Sequence, residues 1–322
     1  MRALTTVLLA SILAACASPT TPTAKSNKAK TSESDPKKHA SDDSSDDDDD
    51  SEQSSAATTT GDDDDGPATE ESPNPVTGLS SLPGSKIFKP AKLPAPAIVM
   101  LHGSEGGSEG SIEGFAQEMS AEGFVVLTLC WFDCKGLSST IERIPLETVV
   151  NAGRWLKGTK DVNGKVGLFG WSRGAEMSLL VGSKTNTDPY SVIAVHAPSD
   201  TVVAAFDPKS DTGDILENGK PAPAWTWKGK DLFGEPDTTF ETPGPLIDVN
   251  AFKGPLYVSQ GTADEVWPVT RGRHVVSMRK SDLVTKSRFF QGAKHVLTKQ
   301  ADIVAQRNDI TTLFHAQLDG GK

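Results

Sequence analysis

The chain is poor in cysteine, with 3 in 322 residues, and poor in tyrosine, with 2. Three cysteines cannot staple a small disulfide scaffold or build a Cys-rich zinc site. No apolar run is long enough to span a bilayer; the longest, residues 7–15, has the length of a secretory h-region. Residues 17–78 contain no aromatic residue at all and almost no large aliphatic one, so this stretch cannot bury enough apolar surface to fold by itself. From residue 79 onward an excess of charge is missing too: 26 Lys plus Arg stand against 27 Asp plus Glu. A near-neutral domain makes no electrostatic claim on nucleic acid.

The formal net charge of −11 comes from the aromatic-free tract, which has 5 Lys and 16 Asp plus Glu in runs such as SDDSSDDDDD and TTTGDDDDGP. It reads as a disordered, self-repelling, solvated tether over 17–78. The spacing of its aspartates does not follow a calcium-binding loop, so no metal site is expected. Ahead of it, Arg2, the apolar run and Leu13-Ala14-Ala15-Cys16 resemble the signal peptide and lipobox of bacterial lipoproteins. That resemblance implies cleavage before Cys16, lipidation of Cys16, and a membrane-anchored protein on the extracytoplasmic side of the cell envelope. Outside the cytosol Cys130 and Cys134, in LCWFDC, are permitted a disulfide if the chain turns sharply between them; two free thiols are the alternative.

Residues 79–322 suit one α/β domain. Apolar strands are expected at 97–101, 124–129, 165–169, 192–195, 255–258 and 287–290. Helical spacing marks 112–122, 145–156, 174–181, 269–280 and 299–317. Strands without period-2 alternation, separated by amphipathic helices, predict a mostly parallel sheet with helices on both faces. The Pro-, Gly- and Asp-rich stretch near 197–250, with Trp225, Trp227, Phe233 and Phe240, reads as an insertion, either a cap that selects substrate or an ordinary surface elaboration. In such sheets the chemistry lies in the loops after the carboxyl ends of the strands.

Two stretches have the spelling G-x-S-x-G: Gly106 to Gly110 around Ser108, and Gly170-Trp171-Ser172-Arg173-Gly174. Only the second follows a strand and opens a helix, as a nucleophile elbow requires, so Ser172 is the candidate nucleophile. A serine hydroxyl needs a base to take its proton. Among six histidines His295 alone sits in a Gly-containing loop just past the last strand. Asp264, just past the strand before it, is the candidate orienting acid, with adjacent Glu265 as alternative. The oxyanion hole is expected from the backbone N–H of Arg173 and of a residue in the loop after His102-Gly103, Ser104 or else Glu105. That Gly-rich loop lacks the Lys-Ser/Thr of a phosphate-binding loop. No cofactor is implied.

The order Ser172, Asp264, His295 is that of the α/β-hydrolases. LHGSEGG, AEGFVVLTLCWF, IPLETVVNAGRWL, GLFGWSRGAEMSLL, AVHAPS, APAWTWKG and GTADEVWP together resemble, over roughly 95–300, the catalytic domain of acyl-CoA thioesterases and bile acid-CoA:amino acid N-acyltransferases. A looser likeness runs to dienelactone hydrolases and secreted peptidase-like relatives. The resemblance implies acyl transfer from a small-molecule ester or thioester through a covalent acyl-enzyme on Ser172. Water would release the acid; the alternatives are transfer to an amine or alcohol, or a surface binding module without catalysis.

Overall fold

Residues 97–101, AIVML, carry no polar side chain to turn toward water, and in the computed structural model they lie inside a seven-stranded sheet. The structure describes residues 76–107, 112–210, 213–234 and 244–319. The readings placed on residues 1–75, Cys16 among them, and on Ser108 and Phe240 lie outside the described residues.

The strands are β1 (Lys86–Phe88), β2 (Ala95–Leu101), β3 (Val125–Leu129), β4 (Ile144–Pro145), β5 (Val162–Trp171), β6 (Tyr190–His196), β7 (Leu216–Glu217), β8 (Lys220–Pro221), β9 (Trp225–Trp227), β10 (Lys230–Leu232), β11 (Leu256–Gly261) and β12 (Thr285–Phe290). The helices are α1 (Glu113–Ala121), α2 (Glu147–Lys157), α3 (Arg173–Thr185), α4 (Val269–Met278) and α5 (Gln300–Leu318). The main sheet runs β1-β3-β2-β5-β6-β11-β12, parallel throughout except for the antiparallel edge strand β1. Among the described residues no helix is long and apolar enough to cross a membrane.

Alternate residues of a strand point to opposite faces, so a sheet covered twice needs apolar residues at both parities. β2 shows this directly. Ala97, Val99 and Leu101 pack with Val149, Val150 and Leu156 of α2 and Leu179 and Leu180 of α3. Ile98 and Met100 pack with Met119 of α1 and Leu313 and Phe314 of α5. Each Val, Leu, Ile, Met or Phe side chain among them, removed from water, contributes roughly 1.5–3 kcal/mol of transfer free energy.

The expected elements are all present, with ends shifted by a few residues, and two places differ from the sequence reading. Pro145 does not open a helix. It lies in β4, which pairs in parallel with β9, and α2 starts at Glu147. Residues 197–250 are not irregular throughout: Asn218-Gly219 and Lys228-Gly229, all at positive φ, turn two tight hairpins, β7–β8 and β10–β9. Such turns need φ > 0 at both central residues and match the twist of the strands. Trp225 is fully buried and Ile247 and Val249 join the main core, so this segment is docked onto the domain. Trp227 is half-buried, whereas Phe233 is 61% exposed.

Candidate active site

The elbow follows from local sterics. β5 must end and α3 begin within one residue, and Ser172 absorbs the turn at φ 52, ψ −119. Few non-glycine residues adopt such a backbone. The turn is held because the Ser172 N–H donates to the His196 carbonyl at 2.9 Å, at the end of β6. The flanking glycines are explained by close approach. A Cβ at Gly170 would strike the Gly174 carbonyl, and one at Gly174 would strike the main-chain oxygens of His102 and Leu101. The motif therefore wedges α3 against β2 and lifts the Ser172 hydroxyl over the carboxyl edge of the sheet.

His295 reaches that hydroxyl from the loop after β12. Its Nε2 lies 3.0 Å from Ser172 Oγ, and its Nδ1 lies 3.0 and 2.9 Å from the two carboxylate oxygens of Asp264. Asp264 follows β11 and its side chain is fully buried. Oδ1 accepts the N–H groups of Val266 and Trp267, both at 2.9 Å, and Oδ2 accepts from Gln260 Nε2 at 2.9 Å. Burial pushes this carboxyl's pKa up, but the bonds from His295, Gln260 and the Trp267 N–H outweigh it and hold the pKa below the ordinary aspartate value. The group stays ionised and fixed, as an acid that orients an imidazole must.

Glu265, the alternative acid, does something else. Its Oε2 accepts the main-chain N–H of His295 at 3.3 Å, and its Oε1 lies 3.3 Å from Lys294 Nζ. The structure thus separates two adjacent carboxylates that the sequence left as rivals: one bonds the imidazole, the other the backbone that carries it.

The loop after β2 lies against Ser172. A Cβ on Gly103 would sit 3.0 Å from Ser172 Cβ. Ser104 and Glu105 form the turn that follows, with the Gly106 N–H donating to the Gly103 carbonyl at 3.5 Å. The Glu105 side chain accepts the Gly103 N–H at 3.0 Å. Arg173 is the first residue of α3, where helical N–H groups have no partner within the helix. The amino end of α3 at Arg173 and the loop at Gly103 thus both adjoin Ser172. Among the described residues no group of three or more His, Cys, Asp or Glu side chains is disposed to hold a metal.

No known family profile matches the chain. Solved structures similar to it include the α/β-hydrolase GrgF from Penicillium, with a TM-score of 0.53 at 13% identity over 72% of this chain and 93% of that one. Est1E from Butyrivibrio proteoclasticus, solved with ferulic acid bound, gives 0.51 at 14% over 73% and 95%. The protein has the α/β-hydrolase fold. A puromycin-hydrolysing peptidase of Mycobacterium tuberculosis gives 0.54 at 15% identity, over 74% of this chain and 37% of that one. Among curated proteins, human acyl-coenzyme A thioesterase 1 is 33% identical over 101 residues, 31% of this chain and 23% of that protein. Mitochondrial acyl-coenzyme A thioesterase 2, also human, is 33% identical over 101 residues, 31% of this chain and 20% of its own length. The matched stretch spans about a fifth to a quarter of these curated relatives.

Two further parts of this candidate site were not foreseen from the sequence. His196, one residue past the strand expected at 192–195, is buried, and its Nε2 donates to the His295 carbonyl at 3.1 Å. Its Nδ1 accepts from Gln306 Nε2 at 2.7 Å. Burial holds its pKa down to about 4, helped by the nearby His295, so the ring is neutral. The second is an ion pair inside the elbow helix. Arg173 and Glu176 approach to 3.0 Å with side chains 1% and 0% exposed. Glu176 Oε1 accepts the Val203 N–H at 2.8 Å and Trp225 Nε1 at 2.7 Å, while Arg173 Nη2 donates to the Ala204 carbonyl at 2.8 Å. The helix that begins just after Ser172 is thereby tied to the inserted segment. The i, i+3 spacing was legible as a pair, but charged pairs are normally solvated, so nothing announced its burial.

Proposed function

We propose that the protein is a serine hydrolase that cleaves an acyl ester or thioester through an acyl-enzyme on Ser172. The observation that carries this reading is the continuous hydrogen-bond chain from Ser172 Oγ to His295 Nε2 at 3.0 Å and from His295 Nδ1 to the ionised Asp264 at 2.9 Å. In the first half-reaction His295 takes the hydroxyl proton as Oγ attacks the carbonyl carbon. The developing oxyanion receives the N–H of Arg173 and an N–H of the turn at Ser104. Asp264 holds the imidazolium, which returns the proton to the leaving alkoxide or thiolate. Water then enters; His295 takes its proton as the oxygen attacks the acyl carbon, the bond from that carbon to Ser172 Oγ breaks, and the proton passes from His295 to Oγ as the acid departs.

The test is a panel of nitrophenyl esters and acyl-CoA thioesters of varied chain length, with wild type and Ser172→Ala, beside fluorophosphonate labelling. Wild type should label at Ser172 and turn over at least one class, and Ser172→Ala should do neither. Turnover that survives in Ser172→Ala would sink the reading.

The segment ending at Cys16 and the acidic tract support a placement as well: a domain tethered by lipid to a bacterial envelope membrane, outside the cytosol. Coenzyme A is a cytosolic thiol, so this placement favours esters over coenzyme A thioesters. Palmitate should label the wild type and not Cys16→Ala; an unlabelled wild type would remove the anchor.

A further inference from the structure

The chain after β3 is closed on itself by a disulfide between Cys130 and Cys134, whose Cα atoms lie 6.4 Å apart. The three residues inside this ring all touch the segment that faces Ser172. Trp131 Nε1 donates to the His102 carbonyl at 3.2 Å, and its ring stacks on the His102 imidazole with centroids 5.0 Å apart. The Phe132 carbonyl accepts the Gly107 N–H at 3.3 Å. Asp133 lies so near Gly106 that a Cβ there would come within 2.7 Å of its own. Residues 102–107 are therefore gripped at the start, near the end and at Gly106 by one five-residue ring.

The ring is itself fastened to the body of the domain. The Cys130 N–H donates to Ser85 Oγ at 3.0 Å, and Gly84, at φ 74, leaves room for the Cys134 sulfur, since a Cβ there would lie 2.6 Å from it. Lys209 Nζ donates to Asp133 Oδ1 at 2.7 Å from the inserted segment. Asp133 sits at φ 52, a backbone that few non-glycine residues hold unless their surroundings impose it.

We propose that the Cys130–Cys134 disulfide holds the loop carrying the second oxyanion donor in its working shape, so that turnover depends on the redox state of this pair. The proposal rests on the serine-hydrolase reading above. An oxyanion donor acts only when its N–H is already aimed at the place where charge develops. Opening the ring lets Asp133 relax toward an ordinary backbone, and the contacts of Trp131 and Phe132 with residues 102–107 loosen with it. The donor at Ser104 is then no longer fixed, while Ser172, His295 and Asp264, held by β5, β11 and β12, keep their places.

The pair is open to exchange from one side. Cys134 is half-buried and Cys130 buried. A dithiol attacks the Cys134 sulfur as thiolate, and the Cys130 sulfur leaves as thiolate and takes a proton. The second thiol of the reagent then resolves the mixed disulfide. Two protein thiols form, and the dithiol is oxidised to its cyclic disulfide.

The experiment compares the oxidised enzyme, the same enzyme reduced by dithiothreitol, and a Cys130→Ala/Cys134→Ala variant. Thiol alkylation counts the open pairs, and nitrophenyl ester hydrolysis gives kcat and KM. Amide hydrogen exchange follows residues 102–107, with β5 as internal control for folding. On reduction kcat should fall about tenfold or more, less than the loss of a whole donor, with KM and the pH profile little changed. Exchange at 102–107 should quicken while β5 stays protected, and reoxidation should restore both. The double variant should match the reduced enzyme and ignore dithiothreitol; if it does not fold, wild type in its two redox states decides alone. A reduced enzyme with both thiols alkylated that keeps kcat within twofold, or exchanges at 102–107 no faster than before, overturns the proposal. Fluorophosphonate labelling of the oxidised enzyme separates the two claims. Labelling with redox-indifferent turnover removes the role of the disulfide and leaves the hydrolase standing; neither labelling nor turnover removes both.

Discussion

His196 Nε2 and the main-chain oxygen of His295 lie 3.1 Å apart, so one buried histidine holds the backbone of another. Glu265 takes the N–H of the same His295 at 3.3 Å. The peptide groups of the candidate base are thus gripped from β6 and from the loop after β11, while its ring is gripped by Asp264. A loop residue acquires in this way the fixed position that a strand residue would have.

If His196 positions His295, its donor matters more than its ring. His196→Leu should fold and bind substrate with similar KM, yet lose about ten- to a hundredfold in kcat, the scale of misplacing a reacting group by a fraction of an ångström to an ångström. His196→Gln keeps an N–H donor and should recover most of that loss. Steady-state ester kinetics check this; equal losses in both variants would mean that packing, not the bond, is what matters.

The two adjacent carboxylates should separate by orders of magnitude. Asp264→Asn leaves the shape intact but cannot hold His295 in the required tautomer, and kcat should drop about 10⁴-fold. Glu265→Gln can still accept the His295 N–H, lies half exposed beside Lys294 and should cost less than about tenfold. Parallel kinetics on one nitrophenyl ester decide it, and the reverse order would exchange their roles.

Acid should weaken the fold through His196 before it reaches the carboxylates. Burial lowers this pKa from the ordinary 6.5 to about 4, so between those values the unfolded chain binds a proton that the folded chain refuses. Stability is then complete above about pH 6.5 and declines as the pH falls toward 4, by about 3 kcal/mol from this group. His102, also lowered by burial, adds in the same direction. Asp264, depressed by its hydrogen bonds, adds a loss only at pH below the ordinary aspartate range. Urea unfolding of wild type and His196→Gln between pH 7.5 and 4.5 tests this: the variant's slope should be shallower, and parallel slopes would assign the decline elsewhere.

The sheet was legible because its parallel strands are buried on both faces and so appear as unbroken apolar runs; β2 and β3 could be marked almost to the residue. The order of Ser172, Asp264 and His295 was legible because each follows a strand at one edge of that sheet. What stayed hidden depended on contacts remote in sequence. Pro145 looked like a helix start until β9, some 80 residues on, paired with it. His196 looked incidental because Ser259, His295 and Gln306, its partners, lie 63 to 110 residues away. β1 is three residues long with a mixed pattern, too short for any periodicity to show.

The buried pair at the head of α3 makes the last prediction. Arg173 and Glu176 have both left water, and Glu176 also satisfies Val203 N–H and Trp225 Nε1. Glu176→Leu would strand the guanidinium and two donors at once, and should cost about 3–5 kcal/mol. Replacing both, as Arg173→Met with Glu176→Leu, removes the uncompensated charge and should regain more than half of that loss in urea midpoints. The backbone N–H of Arg173 remains in the double variant, so labelling of Ser172 by a fluorophosphonate should persist if the side chains serve to dock the inserted segment. Loss of labelling in a folded double variant would instead mean that the pair is needed to aim the elbow itself.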